Sequence, residues 1–395
     1  LVSCRGLNEK KDEKTNQPYL IMLSLDGFRW DYTEMANTPV FDSLKKVGVI
    51  AESLKPSFPT KTFPNHYTIA TGLYPDHHGI VENNFHANDL GKEYSVMNRE
   101  SVEDGSFYGG EPIWITAEKQ GMKSATLFWV GSEADIMGMQ PSIWYSYSET
   151  LSFDDRIDSV YKWLSLPEAI RPHLILWYYP EPDHTTHEVG PYSPVTIELI
   201  EALDSHLGEF FTEMRKLPIF DQLNFIILSD HGMGPTDDEH VIFIDQVVDT
   251  ADIEFFDGWN PDMNIKVKPG KLEKVYSALK NTPNLFAWKH DSLPERLKYG
   301  HNVRTQDITI VAYPGWAIGS TAKPNVGGGT HGYDNDFKDM HAIFYAVGPA
   351  FKENYQHPTF ENVNIYALIA EILNLVPAET DGKLENVEGM LVKPE

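Results

Sequence analysis

Three apolar runs in this chain stop at the same kind of chemistry. Tyr19 to Leu25, interrupted only by Ser24, runs into Asp26-Gly27. His173 to Tyr179 runs into Glu181-Pro182-Asp183, and Asn224 to Leu228 runs into Ser229-Asp230-His231-Gly232. Continuous apolar stretches of this length predict strands buried on both faces, as in a parallel sheet. Between them the spacing predicts helices over Glu111 to Gln120, where Pro112 suits a first turn, over Phe153 to Leu164, and over Pro194 to Leu217. The last carries Ile197, Leu199, Ile200, Leu203, Leu207 and Phe210 at helical period. Strand and helix in alternation predict an α/β fold, a doubly wound, mostly parallel sheet flanked by helices. In such sheets sites form in the crevice beyond the carboxyl ends of the strands, so the three polar tips are expected to converge.

The rhythm changes from about residue 234 to 329. Short strands at Val241 to Ile244, Asn264 to Val267 and Ile308 to Ala312, with one helix near Lys271 to Leu279, predict an inserted α+β cap lobe. The main pattern returns with a strand at His341 to Ala346 and a closing helix near Val363 to Leu373. The expectation is one domain over residues 19–395, carrying the lobe without a flexible linker and preceded by a disordered tail at 1–18.

Composition agrees with a folded chain and narrows its partners. Of 395 residues 41% are hydrophobic and 12% aromatic, enough for a large core. The balance of 32 basic against 58 acidic residues leaves a net charge of −26, which argues against binding a nucleic-acid duplex through its backbone. An anionic small-molecule substrate would need a local source of positive charge, such as a bound metal pair. The single cysteine, Cys4, excludes intramolecular disulfides. Leu1-Val2-Ser3-Cys4, followed by a Lys/Glu-rich stretch to about Gln17, is similar to the end of a bacterial lipoprotein signal cut before an acylated cysteine. The expectation is an exported periplasmic or outer-membrane lipoprotein with a lipid anchor, against the plainer alternative of a free cysteine in a tail. No apolar run is long enough to span a bilayer.

A divalent metal pair needs carboxylates and neutral imidazoles whose lone pairs converge. The candidates are Asp26, Asp183, His187, Asp230, His231 and His331, each after a strand or in a glycine-rich loop. Singly each has an ordinary role, as helix cap, surface imidazole or turn; the case rests on their combination. Asp183 and His187 are four apart and share a face if a helical turn starts after Pro182. His184 competes with His187. The nucleophile candidate is Thr62, in Phe58-Pro-Thr-Lys-Thr-Phe-Pro-Asn-His-Tyr67, where Pro64 reads as a helix start whose free N–H groups favour an oxyanion. Thr60 is the better ordinary cap. A threonine hydroxyl becomes a competent nucleophile when a cation lowers its pKa. Asn83 or Asn84 could donate an amide N–H to a phosphate oxygen.

These residues resemble the nucleotide pyrophosphatase/phosphodiesterase family of the alkaline phosphatase superfamily, in its bacterial single-domain form. The matching segments are Leu25-Asp-Gly27, Pro59 to Tyr67, Gly72-Leu-Tyr-Pro75 with His78-Gly-Ile80, Phe128-Trp129 with Gly131-Ser132, Glu181-Pro-Asp183 with His187, Ser229 to Met233, and Thr330-His-Gly332. They occur in family order from about residue 19 to the end. The resemblance implies an alkaline phosphatase-like fold and two Zn2+, one held by Asp183, His187 and His331, the other by Asp26, Thr62, Asp230 and His231. It implies Thr62 as nucleophile, a phosphothreonine ester as intermediate, and Asn83, 21 positions after Thr62, as the phosphate-binding amide. A segment from Gly131 to about Ser148 looks like the loop of nucleotide-hydrolysing members, with Phe63 and Tyr147 as the aromatic pair around a base. Trp144 and Tyr145 compete with Tyr147. The implied activity is hydrolysis of nucleotide phosphodiester or phosphoanhydride bonds. The alternatives are a choline-type lipid-headgroup phosphodiesterase, a phosphonate hydrolase, a phosphomonoesterase, or a non-catalytic surface binding lipoprotein.

Overall fold

The computed structural model describes residues 17–323 and 326–393. The tail at 1–16, with Cys4 and the lipid anchor expected there, lies outside the described residues. The main sheet is built from β1 (Tyr19–Leu25), β2 (Val49–Ala51), β3 (Ser124–Leu127), β4 (Ile143–Tyr145), β5 (Leu174–Tyr179), β6 (Leu223–Leu228), β7 (Phe344–Val347) and β8 (Tyr355–His357). Their order across the sheet is β8-β2-β7-β6-β1-β5-β3-β4. β1 sits centrally, parallel to β5 on one side and β6 on the other. β7 runs antiparallel to both its neighbours, while every other pair in the sheet is parallel.

All seven residues of β1 are buried, which is why the run shows no alternation. Leu20 and Met22 enter the core on one face, together with Tyr67 and Ile69 of α2 (Thr62–Thr71), Trp114 of α3 (Ile113–Lys119) and Leu368 of α7 (Ile365–Ile372). Ile21, Leu23 and Leu25 enter the opposite core with Phe41 of α1 (Pro39–Val47), Ile157 of α4 (Phe153–Leu164) and Leu203 and Leu207 of α6 (Pro194–Met214). Helices therefore cover both faces, as the alternating pattern predicts.

A second, antiparallel sheet is made by Ile253–Trp259, Asp262–Val267, Ile308–Ala312 and Leu285–Lys289, in that spatial order. It packs with the helix Leu272–Lys280 around its own core of Ile265, Ile308, Ile310, Val275 and Leu279.

Element ends shift where capping competes with periodicity. Pro112 stands before the first turn of α3 as its N-cap rather than inside it. α6 stops at Met214, because Arg215 to Leu217 turn out of the helix toward β6. The strand expected at His341 starts only at Phe344, since the His341 ring is bonded to Ser53 Oγ (2.8 Å) and to the Asn335 carbonyl (3.1 Å). Among the described residues no helix is long and apolar enough to cross a membrane.

Two buried histidines give the fold a pH dependence. Burial holds the His78 imidazole down to about 3 and His341 down to about 4. His78 Nδ1 accepts from the Ile80 amide (3.1 Å), and its Nε2 lies 3.0 Å from Thr68 Oγ1. Above pH 6.5 both rings are neutral folded or unfolded, and the packing is fully effective. As the pH falls from 6.5 toward 3, the unfolded chain binds protons that the folded rings refuse, so stability declines. His78→Gln should make this decline shallower, measured as urea unfolding free energy at pH 7 and pH 5; equal declines in both proteins would contradict it.

Candidate active site

The three strand tips meet because glycine lets the backbone close. Asp26 follows β1, and its carbonyl accepts the amide of Asp183 at 3.0 Å. Gly27 has φ +68°, and a Cβ there would lie 2.9 Å from Asp183 Cα, so a side chain would force the two tips apart. Asp183 opens α5 (Asp183–Val189), which places it on one helical face with His187. His184 is exposed, away from the cluster. Asp230 and His231 follow β6. His331 arrives on the loop after Gly329, where a Cβ would lie 2.7 Å from the Thr186 carbonyl of α5.

The imidazoles are oriented by backbone carbonyls. Each Nδ1 faces a carbonyl oxygen: His187 that of Gly329 at 2.9 Å, His231 that of Gly232 at 2.9 Å, and His331 that of Thr60 at 2.8 Å. A carbonyl only accepts, so Nδ1 carries the proton and each Nε2 presents a lone pair to the centre. His187 Nε2 and His331 Nε2 lie 3.4 and 3.5 Å from Asp183 Oδ1. His231 Nε2 lies 3.4 Å from Asp26 Oδ1 and 3.0 Å from Asp230 Oδ2. Asp26 Oδ1, Asp183 Oδ1 and Asp230 Oδ2 are buried and accept no hydrogen bond. Lone pairs facing unsatisfied carboxylate oxygens repel one another unless a cation lies between them. At this centre two groups have ligand atoms within 4.8 Å of one another: Asp183, His187 and His331, and Asp26, Asp183 and His231. This donor set fits Zn2+ or a similar divalent ion, with Asp183 between two positions.

Charge at the centre follows from this crowding. Burial, then the Asp230 and Asp183 carboxylates, push the Asp26 carboxyl well above its ordinary range. Burial also works to raise Asp230, but the imidazoles of His231 and His66 outweigh it and hold this carboxyl well below. Burial, then the neighbouring His231 and His187 rings, hold His331 far below the usual imidazole value, so it is a neutral donor.

Thr62 is the first residue of α2, preceded by Lys61 without a side-chain cap. Its hydroxyl lies 3.2 Å from His231 Nε2. Thr60 does not cap the helix. It donates to the Tyr333 carbonyl (3.0 Å) and accepts from the Gly332 amide (2.9 Å), tying this segment to the His331 loop. Lys61 is buried; it donates to the Trp259 and Asn260 carbonyls (3.1 and 2.9 Å) and pairs with Asp262 at 3.2 Å in the antiparallel sheet.

A cavity of about 240 Å3 opens beside the cluster, lined by Asp26, Thr62 and Asp183 at one end and by Phe63, Asn83, Phe128 and Tyr147 along its walls. Asn83 Oδ1 accepts the Phe63 amide at 3.0 Å, which commits the oxygen and leaves the amide N–H groups to the cavity. Asn84 is exposed, and its oxygen accepts from Ser95. Tyr145 packs on Trp163 (5.5 Å between centroids), and neither it nor Trp144 lines the cavity.

Sequence reasoning passed over several neighbours of the site. Tyr178 donates its hydroxyl to Asp26 Oδ2 at 2.7 Å, and alternation along β5 could have aimed it at the tips. Arg99 and Glu133 pair at the cavity wall, and Glu133 Oε2 also accepts the Tyr147 amide at 3.1 Å. No spacing signal links these three. His66 stands four residues after Thr62 on α2, a spacing that puts both on one helical face.

Comparison with known proteins agrees with this geometry. Residues 20–334 match the family described as type I phosphodiesterase / nucleotide pyrophosphatase. Venom phosphodiesterase CdcPDE of Crotalus durissus collilineatus is 36% identical over 96% of this chain and 47% of its own length. The chain thus spans about half the length of such curated relatives. Human ectonucleotide pyrophosphatase/phosphodiesterase family member 5 is 36% identical, over 95% of this chain and 78% of that protein. The solved structure of an inactive threonine-to-alanine variant of the murine member 5, in complex with AMP, superposes with a TM-score of 0.91. It is 35% identical and covers 95% of this chain and 100% of its own. From the matched span and the shared fold, the chain belongs to the type I phosphodiesterase / nucleotide pyrophosphatase family.

Proposed function

We propose that this protein is a two-zinc phosphodiesterase/pyrophosphatase. It hydrolyses nucleotide phosphodiester or phosphoanhydride bonds to a nucleoside monophosphate through a phosphothreonine ester at Thr62. The observation that carries the reading is the Thr62 hydroxyl, 3.2 Å from His231 Nε2 at the open amino end of a helix, beside buried carboxylate oxygens that bond to nothing. Asp183, His187 and His331 would hold one ion; Asp26, Thr62, Asp230 and His231 would hold the other. Bound there, the ions supply positive charge that acidifies the hydroxyl and offsets charge building on the phosphate. The catalytic unit is residues 19–395, with 234–329 as an inserted lobe.

The chain's own groups then have defined tasks. Thr62 Oγ attacks phosphorus; the new O–P bond forms as the bond to the leaving alcohol or phosphate breaks, and the leaving group departs with the electron pair. Water next attacks the same phosphorus, the Thr62 Oγ–P bond breaks with its electron pair left on Oγ, and a proton from the water regenerates the threonine hydroxyl. The Thr62 amide N–H and the Asn83 side-chain amide would face the non-bridging oxygens as their charge grows, the Phe63 amide being committed to Asn83 and Pro64 having none. Phe63 and Tyr147 line the cavity where a base would stack, a contact worth about 1–3 kcal/mol. The relative described as inactive after a threonine-to-alanine change, and as binding AMP, supports both the threonine and the nucleoside monophosphate. The ectonucleotidase and venom relatives support an exported place of action.

The reading is tested by comparing p-nitrophenyl esters of thymidine 5′-monophosphate, of phosphate and of phosphorylcholine. The first should be preferred; preference for either other ester overturns the nucleotide assignment. Thr62→Ala should lower kcat on the order of 1,000-fold or more while circular dichroism stays native. Retained turnover in that variant rejects the covalent route. Dialysis against a chelator should abolish activity, and added Zn2+ should restore it as elemental analysis approaches two ions per chain; full activity without metal rejects the cation assignment.

A further inference from the structure

His66 has no assigned task in the mechanism, yet it touches three of the elements that carry it. It lies on α2 one turn after Thr62 and is fully buried. Its Nε2 is 2.8 Å from Ser24 Oγ, two residues before Asp26 on β1. Its Nδ1 is 2.9 Å from the Thr62 carbonyl oxygen and 3.3 Å from Asp230 Oδ2, beyond the end of β6. The Thr62 carbonyl cannot donate, so Nδ1 carries a proton directed between that carbonyl and the carboxylate.

The ring has no freedom to turn. Trp129 and Tyr178 meet it edge-on, each with centroids 5.2 Å away. Trp129 Nε1 also donates to the His66 carbonyl at 3.2 Å, and Tyr178 holds Asp26 through its hydroxyl. A core histidine kept only for packing would need no N–H directed toward Asp230 Oδ2, the same oxygen that lies 3.0 Å from His231 Nε2, even though at 3.3 Å this approach falls short of a hydrogen bond.

We propose that His66 is a positioning residue that locks the first turn of α2 to the tips of β1 and β6. The lock makes the Thr62 hydroxyl, Asp26 and Asp230 converge on a single cation. Its effect passes through Thr62 and Asp230, and His66 itself touches neither substrate nor metal. The inference rests on the reading of Thr62 and Asp230 given above.

Two substitutions separate positioning from bulk. His66→Asn keeps an N–H donor near the place of Nδ1, whereas His66→Gln keeps a polar group near the place of Nε2, toward Ser24. Both remove the ring and should melt within a few degrees of each other. Zinc affinity, read by competition with a chromophoric chelator, and kcat and KM on the thymidine ester are measured for wild type and both variants. His66→Gln should lose about 10–100-fold in zinc affinity and in kcat with KM changed less than about threefold, while His66→Asn stays within about threefold of wild type in affinity. Equal losses in the two variants, or losses that follow melting temperature alone, overturn the proposal. Should either variant fail to fold, Ser24→Ala frees the far end of the ring without altering α2. Zinc affinity should then fall at least about threefold, and unchanged affinity rejects the proposal. A wild-type protein that binds no zinc and cleaves no ester would defeat the functional reading itself, which is a different result from equal behaviour of the variants.

Discussion

The structure is organised around like charges held together against their repulsion. Asp26, Asp183 and Asp230 bring carboxylates to one buried point, and each leaves an oxygen without a hydrogen bond. Two unit charges roughly 4 Å apart repel by about 4 kcal/mol even at an effective dielectric of about 20. No chain gathers such groups by its own preference. The rigidity of a central sheet with both faces buried forces them together, and a divalent counter-charge makes the arrangement favourable.

That rigidity is shared among layers. β1, β5 and β6 are adjacent and parallel, so their carboxyl ends rise side by side and each delivers one aspartate. Backbone carbonyls of Thr60, Gly232 and Gly329 set the imidazole tautomers, so orientation of the donors belongs to the main chain and not to neighbouring side chains. β7, reversed against β6, brings the His341 segment up to the tips from the opposite direction. Nearby, buried Arg29 donates to the Met233 carbonyl and pairs with Asp31 and Asp339, bracing the loops after β1 and β6.

Much of this was legible in the sequence, for identifiable reasons. β1, β5 and β6 announce themselves because double burial removes all polar alternation, and their terminal aspartates could be aimed at one crevice from topology alone. His187 was favoured over His184 by helical spacing from Asp183 together with the family resemblance, and the structure places His184 on the exposed side. Spacing could not separate Asn83 from Asn84, because that choice depends on which one meets the Phe63 amide, a contact across 20 residues. Tyr147 and Tyr145 were likewise indistinguishable until β4 turned Tyr145 onto Trp163. Arg99 and Glu133 lie far apart in sequence and meet only through the packing of the cavity wall, so no local signal marks them. Helix ends moved by one to three residues wherever a cap or a turn competed with periodicity, as at Pro112 and Arg215.

Lys61 has a mechanical meaning beyond its charge. Its ammonium is enclosed by the Trp259 and Asn260 carbonyls and by Asp262, all on the hairpin that joins the first two strands of the antiparallel sheet, and its backbone is the peptide that leads into Thr62. With both ion-pair partners more than nine-tenths buried, pulling this sheet away would strand a charge on each side. Displacing this sheet would therefore also pull on the peptide that sets the position of the Thr62 hydroxyl.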